Sequence, residues 1–500
     1  MPSMSHKLCL SLMPRDMEAL QDSLQRRGDI GIVEIRLDHF PDMDLAAVVE
    51  TLDVPVIATL RSTSEGGFWE GDDDAYAAHL QAAAAAGANY IDLEWERAAA
   101  VQPKLSLSPK TELIVSRHTA ERDYAVLEAM LDRMLEVGAD VTKLVFQAED
   151  LPDNLTALRL IEHGRSGGRR VVIHAMGEEG QLSRILGALR GNEWTYVAPV
   201  ATEKTAAGQL THLSATHHFF LHKKSRDSAV LGLVGHPIQQ SKGWRLHNRL
   251  VDGYLPAKPR SSRFPSDFIY CNFSTADFES FWNEWSDHLH GLSVTIPYKE
   301  QAVACADVLA PEVQISGVCN TLVRSGDGWK AHNTDLTAIE TILKPRRDHL
   351  RRGAIIIGTG ATARSAIAAL KRLEISPIFV VGRNEERGLE LMELFGIDYL
   401  REDEVHYAGA ALIIQCTPVG MAPHTDQMPV GANMFRKKRL VLDVIYNPAD
   451  TLFLRSARER GCETISGVDM FILQAARQFE LFTGATLTPD EVRRVWDEIV

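Results

Sequence analysis

The sequence predicts an α/β protein throughout: a barrel of eight strand–helix repeats, followed by two smaller α/β domains. Three observations carry this reading. Apolar runs of strand character recur at even spacing along residues 1–222, and helix-forming stretches separate them. A second series of strand-like runs starts at Ala229 and contains one glycine-rich turn between a strand and a helix.

The eight runs begin near Lys7, Gly31, Pro55, Asn89, Thr111, Val141, Arg170 and Thr195. Asp74–Gly87, Asp123–Gly138 and Leu155–Gly164 are among the helical stretches between them. Eight strand-then-helix repeats over roughly 220 residues match a (β/α)8 TIM barrel. Side chains alternate across a strand, so polar residues two apart share a face. Glu34, Arg36 and Asp38 do so, as do Thr59 and Arg61, Asp92 and Glu94, Ser116 and His118, and Lys143 and Gln147. With these faces turned inward, the barrel mouth gathers Glu34, Arg36, Arg61, Glu94, His118 and Lys143. Such a barrel carries its chemistry at the C-terminal strand ends. Structural ion pairs would account for Glu34 and Arg36 but not for a lysine and a histidine on neighbouring strands.

Lys143 stands at the centre of Val141-Thr142-Lys143-Leu144-Val145-Phe146-Gln147, an apolar strand. An ammonium there loses hydration and must be paired or neutral. A stem lying on the barrel wall with its head in water also fits the residue type. The neighbours favour chemistry. An amine attacks a ketone to give an iminium, which acidifies the adjacent C–H. A histidine takes that proton and then protonates a departing hydroxyl. Arginines hold a carboxylate through paired hydrogen bonds.

Specific pieces of the first half are Glu34-Ile-Arg36-Leu-Asp38, Thr59-Leu-Arg61 with Glu65-Gly66-Gly67, Asp92-Leu-Glu94, Ser116-Arg-His118, Lys143, Ser183-Arg184 and Ala207-Gly208-Gln209. Across about residues 6–222 they resemble type I 3-dehydroquinate dehydratase. The resemblance implies that Lys143 forms the Schiff base, His118 shuttles the proton and Glu65 assists it. It implies substrate contacts at Glu34, Arg36, Arg61, Arg184 and Gln209. Thr205 stands where the family often has serine, and it keeps a hydroxyl.

Composition bounds the rest. The 500 residues suffice for about three domains. Hydrophobic residues make up 45% and charged residues 24%, ordinary for a soluble globular chain. No apolar run approaches a membrane span, and Met1–Lys7 shows neither a signal peptide nor a transit peptide. Cys9, Cys271, Cys305, Cys319, Cys416 and Cys462 form no CxxC pair, which suits a reducing cytoplasm and argues against zinc. The net charge of -14 repels nucleic acid and anionic membranes. His212, His217, His218 and His222 cluster before Lys223-Lys224; a solvated helix end is expected there, not a metal site.

Residues 223–228 read as a short polar linker. Beyond it, strand-like runs at Val230–Val234, Phe268–Phe273, Leu292–Ile296 and Val318–Val323 alternate with helical stretches. Ala354-Ile-Ile-Ile357 leads into Gly358-Thr-Gly360-Ala361-Thr-Ala363 and a helical run to Leu373. This is a GxGxxA turn in Rossmann context, where backbone N–H groups meet a pyrophosphate at a helix N-terminus. The next strand ends at Gly382-Arg383-Asn384. Arg383, in place of an acidic residue, suits the 2′-phosphate of NADP. Ser293-Val-Thr295-Ile-Pro297-Tyr-Lys299 is expected to end a strand and open a helix, and Asn333-Thr-Asp335 lies before the crossing to the nucleotide domain. A lysine–aspartate pair beside a nicotinamide can pass a proton while hydride arrives; an interdomain salt bridge fits the spacing equally well.

Gly235-His-Pro237-Ile238, Ser241-Lys242, His247-Asn248, Gly317 to Thr321, Cys416-Thr417-Pro418-Val-Gly420-Met421, Asp443 to Pro448 and Gly467 to Gln474 complete a second resemblance, to shikimate dehydrogenase. It implies Lys299 and Asp335 as the catalytic pair, substrate contacts at Ser241, Thr295, Asn320, Tyr446 and Gln474, and cofactor contacts at Gly358, Gly360, Ala361, Arg383, Asn384, Thr417 and Gly467. The family's second serine near residue 243 is Gly243 here, which removes a hydroxyl donor from the carboxylate pocket. Ser293 stands for a frequent asparagine.

The expected organisation is a dehydratase barrel over 1–222, a linker over 223–228, a substrate domain over 229–336, a Rossmann NADP domain over 337–472, and helices over 473–500 returning to the substrate domain. The two resemblances imply consecutive steps: dehydration of 3-dehydroquinate, then NADPH-dependent reduction of 3-dehydroshikimate to shikimate, in the cytoplasm. A monomer or homodimer is expected, with no metal, nucleic acid or membrane partner. An NAD-dependent catabolic quinate enzyme and a non-catalytic ligand sensor are the rivals.

Overall fold

A computed structural model describes residues 7–500 except 27, 29, 256–263, 402 and 405–407. The reading of the N-terminal segment before Lys7 lies outside the described residues. Contacts divide the chain into two compact units, one of residues 1–229 with 266–269, the other of 230–265 with 270–500.

The first unit holds nine strands: β1 Lys7–Leu12, β2 Ile32–Arg36, β3 Val56–Thr59, β4 Tyr90–Glu94, β5 Glu112–Thr119, β6 Val141–Gln147, β7 Val171–Met176, β8 Trp194–Ala198 and the short β9 Leu210–Thr211. Each of the first eight begins within one residue of its expected start. They pair in parallel in the order β7-β6-β5-β4-β3-β2-β1-β8-β9. Helices such as Asp73–Ala85, Tyr124–Leu135 and Pro152–Arg165 connect them, capped in two cases by Asp72 and Asp123 side chains. β7, one end of the sheet, meets β8 without a regular ladder. There the Glu193 N–H donates to the Val171 carbonyl at 2.9 Å. The Asn192 side chain accepts from the Ile173 N–H at 2.8 Å and donates to its carbonyl at 3.1 Å. A side-chain amide thus stands in for a strand pairing at the seam.

Inward side chains stack in layers drawn alternately from even and odd strands. At the N-terminal end, Ile32, Tyr90, Val141 and Trp194 come from even strands, and Cys9, Ile57, Ile114 and Val172 from odd ones; together they form an apolar plug. The next even layer is Glu34, Asp92, Lys143 and Tyr196, and the next odd one Ser11, Thr59, Ser116 and His174. The period-two pattern switches from apolar to polar at one height around the sheet. That switch positions the site.

Beyond β9, one turn of π-helix spans Ser214–His218 and a 3-10 turn Leu221–Lys223. Lys224 is no part of a solvated end. Its ammonium is buried and donates to Asp267 (2.9 Å) and the Phe268 carbonyl (2.7 Å).

The second unit contains two sheets. One is mixed, in the order β11-β10-β12-β14-β15-β13, from β10 Ser228–Gly235, β11 Asp267–Ser274, β12 Gly291–Val294, β13 Val308–Leu309, β14 Thr321–Ser325 and β15 Gly328–His332. The run expected from Val318 becomes a strand only at Thr321, because the chain first turns at Gly317. It then folds back as an antiparallel hairpin that the apolar pattern did not reveal. The other sheet is wholly parallel: β16 Ala354–Ile357, β17 Ile378–Val381, β18 Asp398–Leu400, β19 Leu412–Gln415, β20 Leu440–Asp443 and β21 Glu463–Ile465. Its order, β18-β17-β16-β19-β20-β21, reverses direction between β16 and β19. Ligands of such sheets bind beyond the strand ends at that reversal. Helix Thr334–Leu343 packs between helices Ala361–Arg372 and Gly467–Thr483.

Candidate active sites

In the barrel, Lys143 is 5% exposed and points inward. Its Nζ donates to Asp92 Oδ2 at 3.1 Å and Glu34 Oε1 at 3.4 Å, and lies 4.5 Å from the centroid of the Tyr196 ring. The amine is therefore paired rather than extended into water. Burial raises the Asp92 carboxyl, but the Arg61 and Lys143 cations and the Ser116 hydroxyl outweigh it and hold Asp92 well below the usual carboxylate range. The same contest at Glu34 ends the same way, through Lys143 and a 2.5 Å bond from Ser11.

His118 lies on β5 two residues beyond Ser116, which pairs with Lys143 across the sheet. Its Nδ1 is 2.9 Å from Glu65 Oε2, which also accepts the His118 backbone N–H at 3.1 Å. With Nδ1–H donated to Glu65, Nε2 carries the lone pair. Burial, Arg61 and Lys143 hold the imidazole well below the usual histidine range, so it rests neutral. Burial pushes Glu65 up against the pull of Arg61 and Arg117. Glu65 closes a 3-10 turn at Thr63–Glu65. Its following glycines are required: Gly66 has φ 79°, and a Cβ on Gly67 would lie 2.1 Å from the Arg61 carbonyl oxygen.

The arginines divide. Arg61 is a buried hub bonded to Glu65 (2.9 Å), Asp92 (3.0 Å), Ser116 (3.0 Å) and Glu94 (3.3 Å). Arg36 is held by Asp38 through two 2.7 Å bonds. Both expected substrate contacts are thus occupied by carboxylates. Arg184, on helix Gln181–Arg190, is different. It is 2% exposed, its Nε finds no partner among the described residues, and burial lowers it to about 10. A buried cation with no ion pair among the described residues suits a substrate carboxylate. Gln209 Oε1 accepts from the Thr205 N–H (2.8 Å) and hydroxyl (3.3 Å), and Thr205 meets Ser11 at 2.9 Å. A hydroxyl chain so ties the 205–209 loop to Glu34. Ser11 and Tyr196 were not singled out in the sequence. Asp92 was legible from its shared face with Glu94.

In the second unit, Lys299 Nζ donates to Asp335 Oδ2 at 2.6 Å and to Thr362 Oγ1 at 3.5 Å. Lys299 does not open an α-helix. Residues 296–300 form turns after β12, and a 3-10 helix Gln301–Cys305 follows. Asp335 occupies the first turn of Thr334–Leu343, which Asn333 caps through the Leu336 N–H at 3.0 Å. Asn320 and Gln474 meet at Thr334: Asn320 Nδ2 donates to its hydroxyl (2.9 Å), and that hydroxyl faces Gln474 Oε1 (3.4 Å). Tyr446 stacks on Phe471, and a hydrogen bond from Ser241 partly offsets the rise that burial imposes on its phenol. Thr295 follows β12 and packs on Gly235, where a Cβ would meet its methyl at 2.4 Å. Gln478, one turn beyond Gln474, was missed. It accepts from Ser293 (3.0 Å) and donates to Thr321 (3.0 Å).

Of the residues expected to meet the nucleotide, Gly358, Gly360, Ala361 and Thr417 lie at the sheet reversal. Gly358 ends β16 at φ 116°, and a Cβ on it would stand 3.0 Å from the Thr417 methyl beyond β19. Gly360 starts helix Ala361–Arg372 with no side-chain cap and with open space where a Cβ would stand. The first-turn N–H groups, beginning with Ala361, are left for an anion. Arg383 is exposed past β17, and Asn384 caps helix Glu385–Phe395. Thr417 Oγ1 is bound within its own turn by the Val419 N–H (3.2 Å). Gly467 packs against the Ile445 carbonyl, 2.3 Å from a Cβ, so its glycine serves close packing. Arg387, also missed, meets Glu300 at 2.9 Å, as Arg364 does. An uncapped helix start, an open glycine and an exposed arginine fit a dinucleotide with a 2′-phosphate. Among the described residues no cluster of three or more His, Cys, Asp or Glu could hold a metal.

A barrel with an inward lysine beside a histidine, joined to a nucleotide fold carrying a lysine–aspartate pair, defines a two-site enzyme: a Schiff-base lyase followed by a nicotinamide-dependent reductase. Family models agree. Residues 8–225 match type I 3-dehydroquinase, residues 233–322 the shikimate dehydrogenase substrate binding domain, and residues 467–495 the shikimate 5'-dehydrogenase C-terminal domain. The bifunctional 3-dehydroquinate dehydratase/shikimate dehydrogenase, chloroplastic, of Arabidopsis thaliana is 28% identical over 95% of this chain and 82% of its own. The shikimate dehydrogenase (NADP(+)) of Maridesulfovibrio salexigens is 30% identical over 53% of this chain and 95% of its own. A solved structure of the dehydroquinate dehydratase and shikimate dehydrogenase from S. pombe AroM aligns over 99% of this chain and 98% of its own, at 23% identity and TM-score 0.42. The chain belongs to the shikimate dehydrogenase family and carries a type I 3-dehydroquinase domain ahead of it.

Proposed function

We infer that this chain dehydrates 3-dehydroquinate to 3-dehydroshikimate in its barrel and reduces that product to shikimate with NADPH in its second unit. The observation that carries the first step is the inward Lys143 amine, held between two carboxylates on the strand beside His118. Once deprotonated, Nζ attacks the ketone carbon, and loss of water leaves an iminium. His118 Nε2 takes a proton from the adjacent carbon, and the electron pair moves onto the nitrogen. The resulting enamine expels the β-hydroxyl, which leaves as water with the proton that His118 returns. Hydrolysis frees the unsaturated ketone and the amine. Arg184 holds the substrate carboxylate. Glu65 keeps the imidazole oriented, and Arg61, enclosed by carboxylates, supports it.

In the second unit, NADPH supplies hydride when bound. Lys299 gives the ketone oxygen its proton, and Asp335 holds the lysine toward it. Ser241, Tyr446, Asn320 and Gln474 bind the ring and its carboxylate. Gly358, Gly360 and Ala361 meet the pyrophosphate, Arg383 the 2′-phosphate, and Asn384, Thr417 and Gly467 frame the cofactor. No described helix is long and apolar enough to cross a membrane. All six cysteines are free thiols, which supports a reducing, cytoplasmic compartment.

NADPH consumption starting from 3-dehydroquinate tests both steps at once. Lys143→Ala should stop consumption from dehydroquinate and spare it from dehydroshikimate, whereas Lys299→Ala should stop both. Consumption from dehydroquinate that survives Lys143→Ala contradicts the assignment.

A further inference from the structure

The geometry points to Tyr196 as a positioning residue of the dehydratase: the face of its ring holds the positive charge on the Lys143 nitrogen once that nitrogen has become an iminium. This rests on the Schiff-base reading above and adds a residue to it.

Tyr196 is 5% exposed on β8 and completes the layer of Glu34, Asp92 and Lys143. The Lys143 nitrogen stands 4.5 Å from its ring centroid, within cation–π range. Its hydroxyl finds no hydrogen-bond partner among the described residues by distance and angle, with Trp194 of the apolar plug as its polar neighbour. A buried phenol is ordinarily kept for its O–H. Here the O–H has only Trp194 beside it, and the ring face is the part that meets a charge.

The change in donor count gives the ring its purpose. An ammonium has three N–H donors and meets both Asp92 and Glu34. An iminium on the same nitrogen keeps one N–H and can satisfy only one of them. Attraction to a ring face depends on the charge and needs no N–H. The ring therefore goes on holding the cation at the stage when hydrogen bonding is reduced, and that cation is the electron sink for proton removal. His118 is held neutral, so it adds no positive charge beside the iminium.

Replacing Tyr196 by phenylalanine and by mono-, di- and trifluorinated phenylalanines in the full chain tests this, since fluorine drains the ring face with little change of shape. The readouts are the fraction of Lys143 trapped by borohydride under saturating dehydroquinate and the single-turnover dehydration rate. Phenylalanine should stay within about twofold of the native chain, and both readouts should fall stepwise to about tenfold across the series. Equal values across the series overturn the proposal, as does a loss already complete at phenylalanine. If the native chain forms no adduct, the Schiff-base reading fails instead. Melting temperatures of the series show that the barrel stays folded.

Discussion

The two halves of this chain each present a lysine beside a carboxylate, and the proposed reading uses them differently. Lys143 lies in the barrel wall, 5% exposed, with two carboxylates and a ring around it. Lys299 sits in a turn with one carboxylate at 2.6 Å, and its side chain is 14% exposed. A nucleophile must be enclosed so that water cannot compete for the iminium it forms. A proton donor needs only orientation and access to a proton supply. On the proposed reading, burial rather than residue type separates the two chemistries.

The largest effect that would sharpen this contrast is on catalysis. Lys299→Met should lower kcat for reduction by about 10^2 to 10^4 while leaving dehydration unchanged, as removal of a general acid does. A reduction rate within tenfold of native would show that the pair is only a structural salt bridge. Next comes stability. Asp92→Asn leaves Arg61 and Lys143 short of a buried counter-charge and should cost the barrel about 3–5 kcal/mol, read by urea unfolding. Asp335→Asn should cost less, since its partner is partly hydrated; equal losses would break the comparison.

The barrel should also respond to pH in its own way. His118 is held well below the usual histidine range, so it stays a base as pH falls through the range where an exposed histidine is protonated. The acid limb of kcat for dehydration should therefore lie below pH ~6.5. A limb above that value contradicts a base held neutral by its surroundings. The smallest effect concerns the reductase pocket. A Cβ on Gly243 meets only Ser241 Oγ, at 3.5 Å, so there is room for a side chain. Gly243→Ser should restore a donor to the carboxylate and lower KM for shikimate about tenfold. An unchanged or higher KM would mean that the missing hydroxyl has been replaced from elsewhere.

Much of this was legible in the sequence because strand alternation is strict. Glu34, Arg61, His118 and Lys143 were placed on one inner face by period two alone, and β1 to β8 began where expected. Function of individual arginines was not legible. Arg36, Arg61 and Arg184 look alike along the chain, and only folding shows that Asp38 and the Asp92–Glu65–Glu94 cluster occupy the first two. Tyr196 reads as core because an aromatic on an inward strand ordinarily is. The seam at Asn192 joins residues through a side chain, which leaves no periodic trace. The hairpin of β14 and β15 was hidden because an apolar run does not reveal where Gly317 turns it.

The most direct measurement is mass mapping of the chain after borohydride reduction with 3-dehydroquinate. The account predicts one added ligand, joined through a secondary amine to the peptide containing Lys143 and absent in Lys143→Ala. No adduct, or one on a different lysine, would contradict it.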